Sequence, residues 1–149
     1  FGFLFGLNAA SLIIMSQLSA RLLNRHSPEK LLKLAQNSIV IAALAGVILT
    51  LAGVLNLLLF MLCLMAFMAS QGFVLPNSGA LALNQQGKRL GSASALMGTI
   101  QMLCGTMAGL AISAWHTDTA LPMMGLLLIS ATLSWLSGRA AFRPPTKTA

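Results

Sequence analysis

The sequence predicts an all-α integral membrane protein with five transmembrane helices, and three observations lead to this prediction. Hydrophobic residues make up 57% of the chain and charged residues only 7%, whereas a typical soluble domain carries about 25% charged residues. The apolar residues form runs close to the length of about 20 residues that a helix needs to cross a bilayer. All nine lysines and arginines lie outside these runs, in three short segments.

The first three predicted spans are separated by short polar segments. The first span covers residues 1–19, and because it begins within an apolar run we expect the chain to be a piece of a longer protein. A basic segment containing a helix-breaking proline, Pro28, separates it from the second span, residues 35–53. An uncharged turn near Asn56 leads into the third span, residues 57–83, which we expect Pro76 to interrupt.

The last two spans complete the predicted bundle. The fourth, residues 91–115, follows a short basic loop, and a polar turn containing Asp118 leads into the fifth, residues 120–137. Pro122 is tolerated there because the amide groups of a first helical turn have no intrahelical partner to lose. Residues 138–149 form a polar tail, in which Pro144 and Pro145 disfavour a helix.

The basic residues predict which way the bundle faces. Five spans place all three basic segments on one side of the membrane, whereas the two remaining turns contain no lysine or arginine. The basic residues are Arg21, Arg25, Lys30, Lys33, Lys88, Arg89, Arg139, Arg143 and Lys147. Since short basic loops stay cytoplasmic, we predict an external N-terminus and a cytoplasmic C-terminus. The net charge of +7 does not indicate nucleic-acid binding, because the basic residues form no continuous face with interleaved aromatic residues.

Residues 67–109 contain two spans rich in small residues. The third span contains Gly72, Pro76 and Gly79. The fourth carries small residues along one helix face, here called the small-residue stripe: Ser94, Gly98, Gly105 and Gly109. Small residues let helix backbones approach closely in lipid, and a proline break survives in lipid only where protein or an aqueous cavity covers it. We therefore predict a closely packed helical hairpin that lines a path through the membrane.

Three blocks of the sequence resemble a known family. PNSGALAL, followed by GSASALMGTIQMLCG, is similar to the tenth and eleventh helices of drug:proton antiporters of the major facilitator superfamily. FGLNAASLIIMSQLSARLL is similar to the eighth helix of the bicyclomycin/chloramphenicol-resistance (Bcr/CflA) subfamily. The order and spacing of the blocks carry the resemblance, which covers nearly the whole chain.

The resemblance implies that residues 1–149 are part of the C-terminal half of a transporter, its eighth to twelfth helices. The missing N-terminal half would be its partner, the lipid bilayer its surroundings and the bacterial cytoplasmic (inner) membrane its location. The complete multi-pass protein would be a multidrug efflux antiporter that exports small amphipathic drugs. It would need no cofactor, because the proton gradient would be its energy source. A conventional proton relay needs a buried ionisable group, and we expect none here because Glu29 and Asp118, the only acids, both lie in predicted loops.

Four amides are candidates for lining a substrate cavity. Asn8, Gln71 and Gln101 lie near the predicted bilayer midplane, where an amide is costly unless it is paired or hydrated. The alternative for each is an interhelical hydrogen bond that serves packing alone. Asn77 is a fourth candidate, nearer the cytoplasmic end of its span, and its alternative role is to satisfy backbone groups that Pro76 frees.

Arg21 and Arg25 stand where the superfamily has its conserved cytoplasmic loop, so the resemblance implies a gate there; positive-inside anchoring is the alternative. We expect no enzyme activity and no metal site, because the sequence offers no buried acid and no Cys/His cluster. A small helical membrane protein with a structural or partner-binding role, and no transport of its own, remains the alternative function.

Overall fold

The structure, a computed structural model, describes residues 2–54, 56–84, 86–115 and 119–141, apart from the side chain of Lys88. Five long α-helices account for most of these residues: α1 (Gly2–Leu22), α2 (Pro28–Leu51), α3 (Leu57–Leu83), α4 (Leu90–Ala114) and α5 (Leu121–Ala141). A short 3₁₀ helix, Gly87–Arg89, precedes α4. Each of the five is long and apolar enough to cross a membrane. The predicted all-α class with five membrane-crossing helices is therefore confirmed for the described ranges.

Helix α2 begins at Pro28, well before the predicted span limit at residue 35. Proline fits the first helical position because its fixed φ suits a helix and its missing N–H is not needed there. Glu29 adds a negative charge to the first turn, where the helix dipole favours it. The basic segment is consequently helical over much of its length, and the loop between α1 and α2 is shorter than the sequence indicated.

The interruption predicted at Pro76 does not occur, because α3 runs as one helix through this residue. A proline removes only one backbone hydrogen bond, here to the carbonyl of Gly72, and the remaining bonds of the ladder hold the helix. At its start, the Asn56 side chain accepts a hydrogen bond from the Leu59 amide at 2.9 Å, which caps the helix. Helix α5 runs to Ala141 and so extends into the predicted polar tail, 138–149. The rest of that tail, and residues 116–118 of the polar turn predicted at 116–119, lie outside the described residues.

Four of the helices pack in a row, in the spatial order α1, α3, α2, α5. The main buried cluster joins the last three of these through Ile39 and Ala43 of α2, Phe67 of α3 and Ala131 of α5. A second cluster, Leu32, Ala35 and Val74, continues the α2–α3 contact toward the end of α2 that carries Glu29. Helix α4 barely touches α3 and α5, and none of its residues is buried.

Candidate functional site

Among the glycines of the described residues, Gly72 lies where two helix backbones come closest together, at the crossing of α3 and α1. A Cβ atom built on Gly72 would lie 2.6 Å from the carbonyl oxygen of Leu12, 2.9 Å from the Cβ of Met15 and 3.0 Å from the amide nitrogen of Ser16. Backbone atoms cannot move aside as the end of a flexible side chain can, so any side chain at position 72 would push the helices apart. The structure thus places Gly72 in the predicted packing role, but with α1 as the partner.

Asn77 is the most buried of the four predicted amides and lies on the same α1–α3 contact. Its side chain has no exposed surface. The Nδ2 group donates to the Ser19 hydroxyl at 2.8 Å and to the Phe73 carbonyl at 2.7 Å. The Oδ1 atom is buried without a hydrogen-bond partner among the described residues. The Asn77 side chain therefore joins α1 to α3. Its partner on α3 is the Phe73 carbonyl and not the Gly72 carbonyl, which is the one that Pro76 frees.

Asn8 lies at the other end of the α1–α3 contact. Its Nδ2 group donates to the Leu4 carbonyl at 3.2 Å and lies 4.0 Å from the sulfur of Met61, while its Oδ1 atom is buried without a partner in the described part of the chain. Asn8 and Ser19 are separated by about 16 Å along α1, given a helical rise of about 1.5 Å per residue. The structure therefore places a half-buried amide, Asn8, and a buried one, Asn77, along one helix contact without bringing them together.

The two predicted glutamines have different surroundings. Gln71 is half-buried in α3, and no described residue hydrogen-bonds its side chain. Gln101 is exposed on α4, far from any packed face. Neither joins Asn8 or Asn77 in a common cavity, so a single polar cavity formed by all four amides is not present in the described chain.

The closely packed hairpin of α3 and α4 is a prediction that the structure corrects. A Cβ atom built on Gly98, Gly105 or Gly109 would meet nothing within 4 Å, and the nearest contact of one on Gly79 would be the Cε of Met97 at 3.7 Å. The small-residue stripe therefore faces open space rather than α3. The physical reason is that α3 already buries its two packing faces against α1 and α2, which leaves α4 outside the row.

Sequence reasoning missed a pair of polar links between α2 and α5. Gln36 is 5% exposed, and its Nε2 donates to the Ser134 carbonyl at 2.8 Å. The next residue, Asn37, accepts a hydrogen bond from Trp135 Nε1 at 2.7 Å. The Arg139 guanidinium lies 4.0 Å from the centroid of the Trp135 ring, within the range of a cation–π contact. The two adjacent amides at the start of a long apolar run were a sign in the sequence that polar partners were needed. The sequence did not show which partners, because they lie 98 positions away along the chain.

Arg21 and Arg25 are both exposed at the end of α1 and in the turn that follows. The described residues provide no ion pair for either side chain. This placement fits the predicted gate and the predicted anchor equally. Among the described residues, no three His, Cys, Asp or Glu side chains form a group that could hold a metal ion.

A cavity with an almost entirely apolar lining lies between the C-terminal part of α4 and the N-terminal part of α5. Its volume is about 260 Å³, and Trp115, Leu121 and Ile129 are among the residues that line it. A larger and more polar cavity of about 580 Å³ lies between α2, α3 and α5. The first could hold a small apolar group and the second a group that makes hydrogen bonds.

Comparison of the chain with protein-family models, with curated proteins and with solved structures found no match in any of the three. The transporter family suggested by the sequence blocks therefore remains a prediction.

Proposed function

We propose that this chain is the C-terminal portion of a major facilitator-type transporter, and that the complete protein exports small amphipathic drugs in exchange for protons across the bacterial cytoplasmic membrane. The sequence blocks of the eighth, tenth and eleventh helices supply the family. The observation that carries the proposal is the bare face of α4, which presents the small-residue stripe and Gln101 to no other helix.

A leucine-rich helix face can lie against lipid at no cost, but this face of α4 consists of small residues and an amide. Helix–helix interfaces in membranes are enriched in glycine, alanine and serine, because small residues bring backbones close together. An amide such as Gln101 in the hydrocarbon region needs a protein partner or an aqueous cavity. Additional helices against α4 would supply both, and in the proposed transporter they belong to the N-terminal half.

The positions of the acidic residues indicate which half of the proposed transporter would carry the proton and which would contact the drug. Both acids lie outside the predicted spans, so the group that carries the proton would lie in the N-terminal half. Helices α1, α3 and α4 of this chain would contribute one wall of the drug path through Asn8, Gln71 and Gln101, whereas Asn77, which has no exposed surface, would hold α1 against α3. Arg21 and Arg25 would close the cytoplasmic end. The drug would be bound between the halves, not within the α1–α3–α2–α5 row.

Drug efflux from cells that express the complete reading frame containing this chain tests the proposal. Gly105→Leu and Gly109→Leu place large side chains on the small-residue stripe, so we expect efflux to fall while the protein still reaches the membrane. Cys104→Leu is the matched control, because Cys104 lies at the same depth, is exposed and points about 100° away from Gly105. Wild-type efflux in both glycine variants would contradict the proposal.

A structural or partner-binding membrane protein is the second candidate function. The observation that favours it is that α1, α3, α2 and α5 already pack through their own apolar clusters and hydrogen bonds. This candidate predicts that the complete reading frame gives no drug efflux under any condition, and that the same glycine substitutions instead abolish capture of a partner helix.

A further inference from the structure

We infer that the polar cavity between α2, α3 and α5 binds a primary ammonium group. The cavity has a volume of about 580 Å³. Five of its lining residues are polar: Glu29, Gln36, Ser78, Ser134 and Ser137. Neither the predicted drug path nor the α1–α3 contact includes this cavity, and the inference does not rest on the proposed transport function.

The hydrogen-bonding groups of the cavity match those of an ammonium group. An ammonium group has three N–H donors and no acceptor. The cavity offers the carboxylate of Glu29, the amide of Gln36 and hydroxyl oxygens, and all of these can accept. Gln36 is 5% exposed and uses its Nε2 group to hold Ser134, which leaves its Oε1 atom without a hydrogen bond from the described residues. The site thus has more free acceptors than free donors.

The charges around the cavity also favour a cation. Glu29 is the one carboxylate of the described chain, and it lines this cavity. No lysine or arginine of the described chain lines the same cavity. The last turn of α3, through Leu81, and the last residue of α5, Ala141, also form part of the wall. Helix C-termini carry a partial negative charge, so these two helix ends attract a cation together with Glu29 and offset the partial positive charge of the α2 N-terminus, on which Glu29 lies.

The packing of α2 against α5 holds the Gln36 side of the cavity in place. A Cβ atom on Gly138 would collide with the side-chain amide of Gln36, so only glycine leaves room for this amide between α2 and α5. The hydrogen bond from Trp135 to Asn37 fixes the two helices one residue further along. The Gln36 acceptor is therefore positioned before a ligand arrives, which lowers the entropic cost of binding at this group, whereas the Glu29 side chain is exposed.

Binding of 2-phenylethylamine to the full chain in nanodiscs of phosphatidylcholine, measured by equilibrium dialysis, tests the inference. The neutral 2-phenylethanol serves as the comparison ligand. A charge-assisted hydrogen bond should make the amine bind about tenfold more tightly than the alcohol. Glu29→Gln should remove this advantage, whereas Asp118→Asn, the only other acid of the sequence, should not. Equal amine affinity in the wild type and in Glu29→Gln would overturn the inference.

A second variant locates the ligand. Ser137 is exposed and hydrogen-bonds only within its own helix, to the Leu133 carbonyl at 2.7 Å. Ser137→Leu therefore fills part of the cavity without breaking an interhelical bond, and it should weaken binding of both the amine and the alcohol. Unchanged amine affinity in this variant would show that the amine binds elsewhere and would overturn the assignment.

The ammonium group can come from a lipid headgroup or from a soluble amine. Native mass spectrometry of the chain, purified from mixed phosphatidylethanolamine and phosphatidylcholine, separates these sources. Preferential retention of phosphatidylethanolamine that is lost in Glu29→Gln supports the inference with a lipid as the ligand. Binding of 2-phenylethylamine without a lipid preference supports it with a soluble amine as the ligand. If neither binds, the inference fails.

Discussion

Asn77 illustrates what a single polar residue does inside an apolar bundle. A buried amide is costly unless its polar atoms are hydrogen-bonded. The Nδ2 group of Asn77 has one acceptor on its own helix and one on α1, whereas its Oδ1 atom has no partner among the described residues. The sequence could predict that a polar group at this depth needs partners. It could not predict Ser19 as the partner, because α1 contains several serines and the sequence does not specify how two helices align.

We expect Asn77 and Ser19 to be energetically coupled. In a double-mutant cycle with Asn77→Ala and Ser19→Ala, the coupling free energy of unfolding in mixed micelles should be about 0.6 kcal/mol and at most about 1.7 kcal/mol, the range for interhelical hydrogen bonds in membranes. Ser78→Ala is the matched control, because the Ser78 hydroxyl bonds only the Leu75 carbonyl of its own helix. If the Asn77 cycle gives no more coupling than a Ser78–Ser19 cycle, the hydrogen bond contributes nothing.

At the scale of the helices, the existence of each element could be predicted and its partners could not. Long apolar runs leave a chain in lipid little choice but a helix, because every backbone group must be satisfied internally. The start of α2 was predicted too late because charges mark the edge of the membrane rather than the end of a helix. Glycine content likewise indicated close packing in two helices, and only the α3 glycine at the α1 crossing is packed in this way.

The two α3 glycines should respond differently to the same substitution. Gly72→Ala drives a methyl group against the Leu12 carbonyl and the Ser16 amide, so we expect a loss of about 1–3 kcal/mol in the free energy of unfolding. Gly79→Ala, the matched control, meets only the end of Met97 at 3.7 Å and should leave the stability unchanged or raise it by up to about 1 kcal/mol. Equal effects, measured by denaturation in mixed micelles, would contradict the close crossing of α1 and α3.

At the scale of the whole molecule, the order of the helices in space differs from their order along the chain. Helix α2 lies between α3 and α5, and α4 stands outside the row. Hydropathy alone fixes the number of crossings, but it does not reveal which faces meet, since lipid and neighbouring helices favour similar side chains. The α2–α5 contact depends on Gln36, Asn37 and Gly138, whose roles become visible only when the two helices are seen together.

Because each helix crosses the membrane, successive turns of the chain should lie on alternate sides of it. We consider the chain in which Cys63 and Cys104 are replaced by alanine and one new cysteine is introduced at Asn24, Val54 or Gln86, all exposed positions in turns. Two helices separate Asn24 from Gln86, so a membrane-impermeant maleimide must reach both from the same side and Val54 from the other. The basic residues near Asn24 and Gln86 predict that this shared side is the cytoplasm.

Intact cells should therefore label only the cysteine at position 54, and inverted vesicles only those at 24 and 86. Labelling of 24 and 86 from opposite sides would mean that α2 and α3 do not both cross the membrane, which would refute the five-crossing fold. Labelling of both from outside would keep that fold and reverse its orientation. In that case Arg21 and Arg25 could not form a cytoplasmic gate, because they would lie on the outer side of the membrane, against the positive-inside rule.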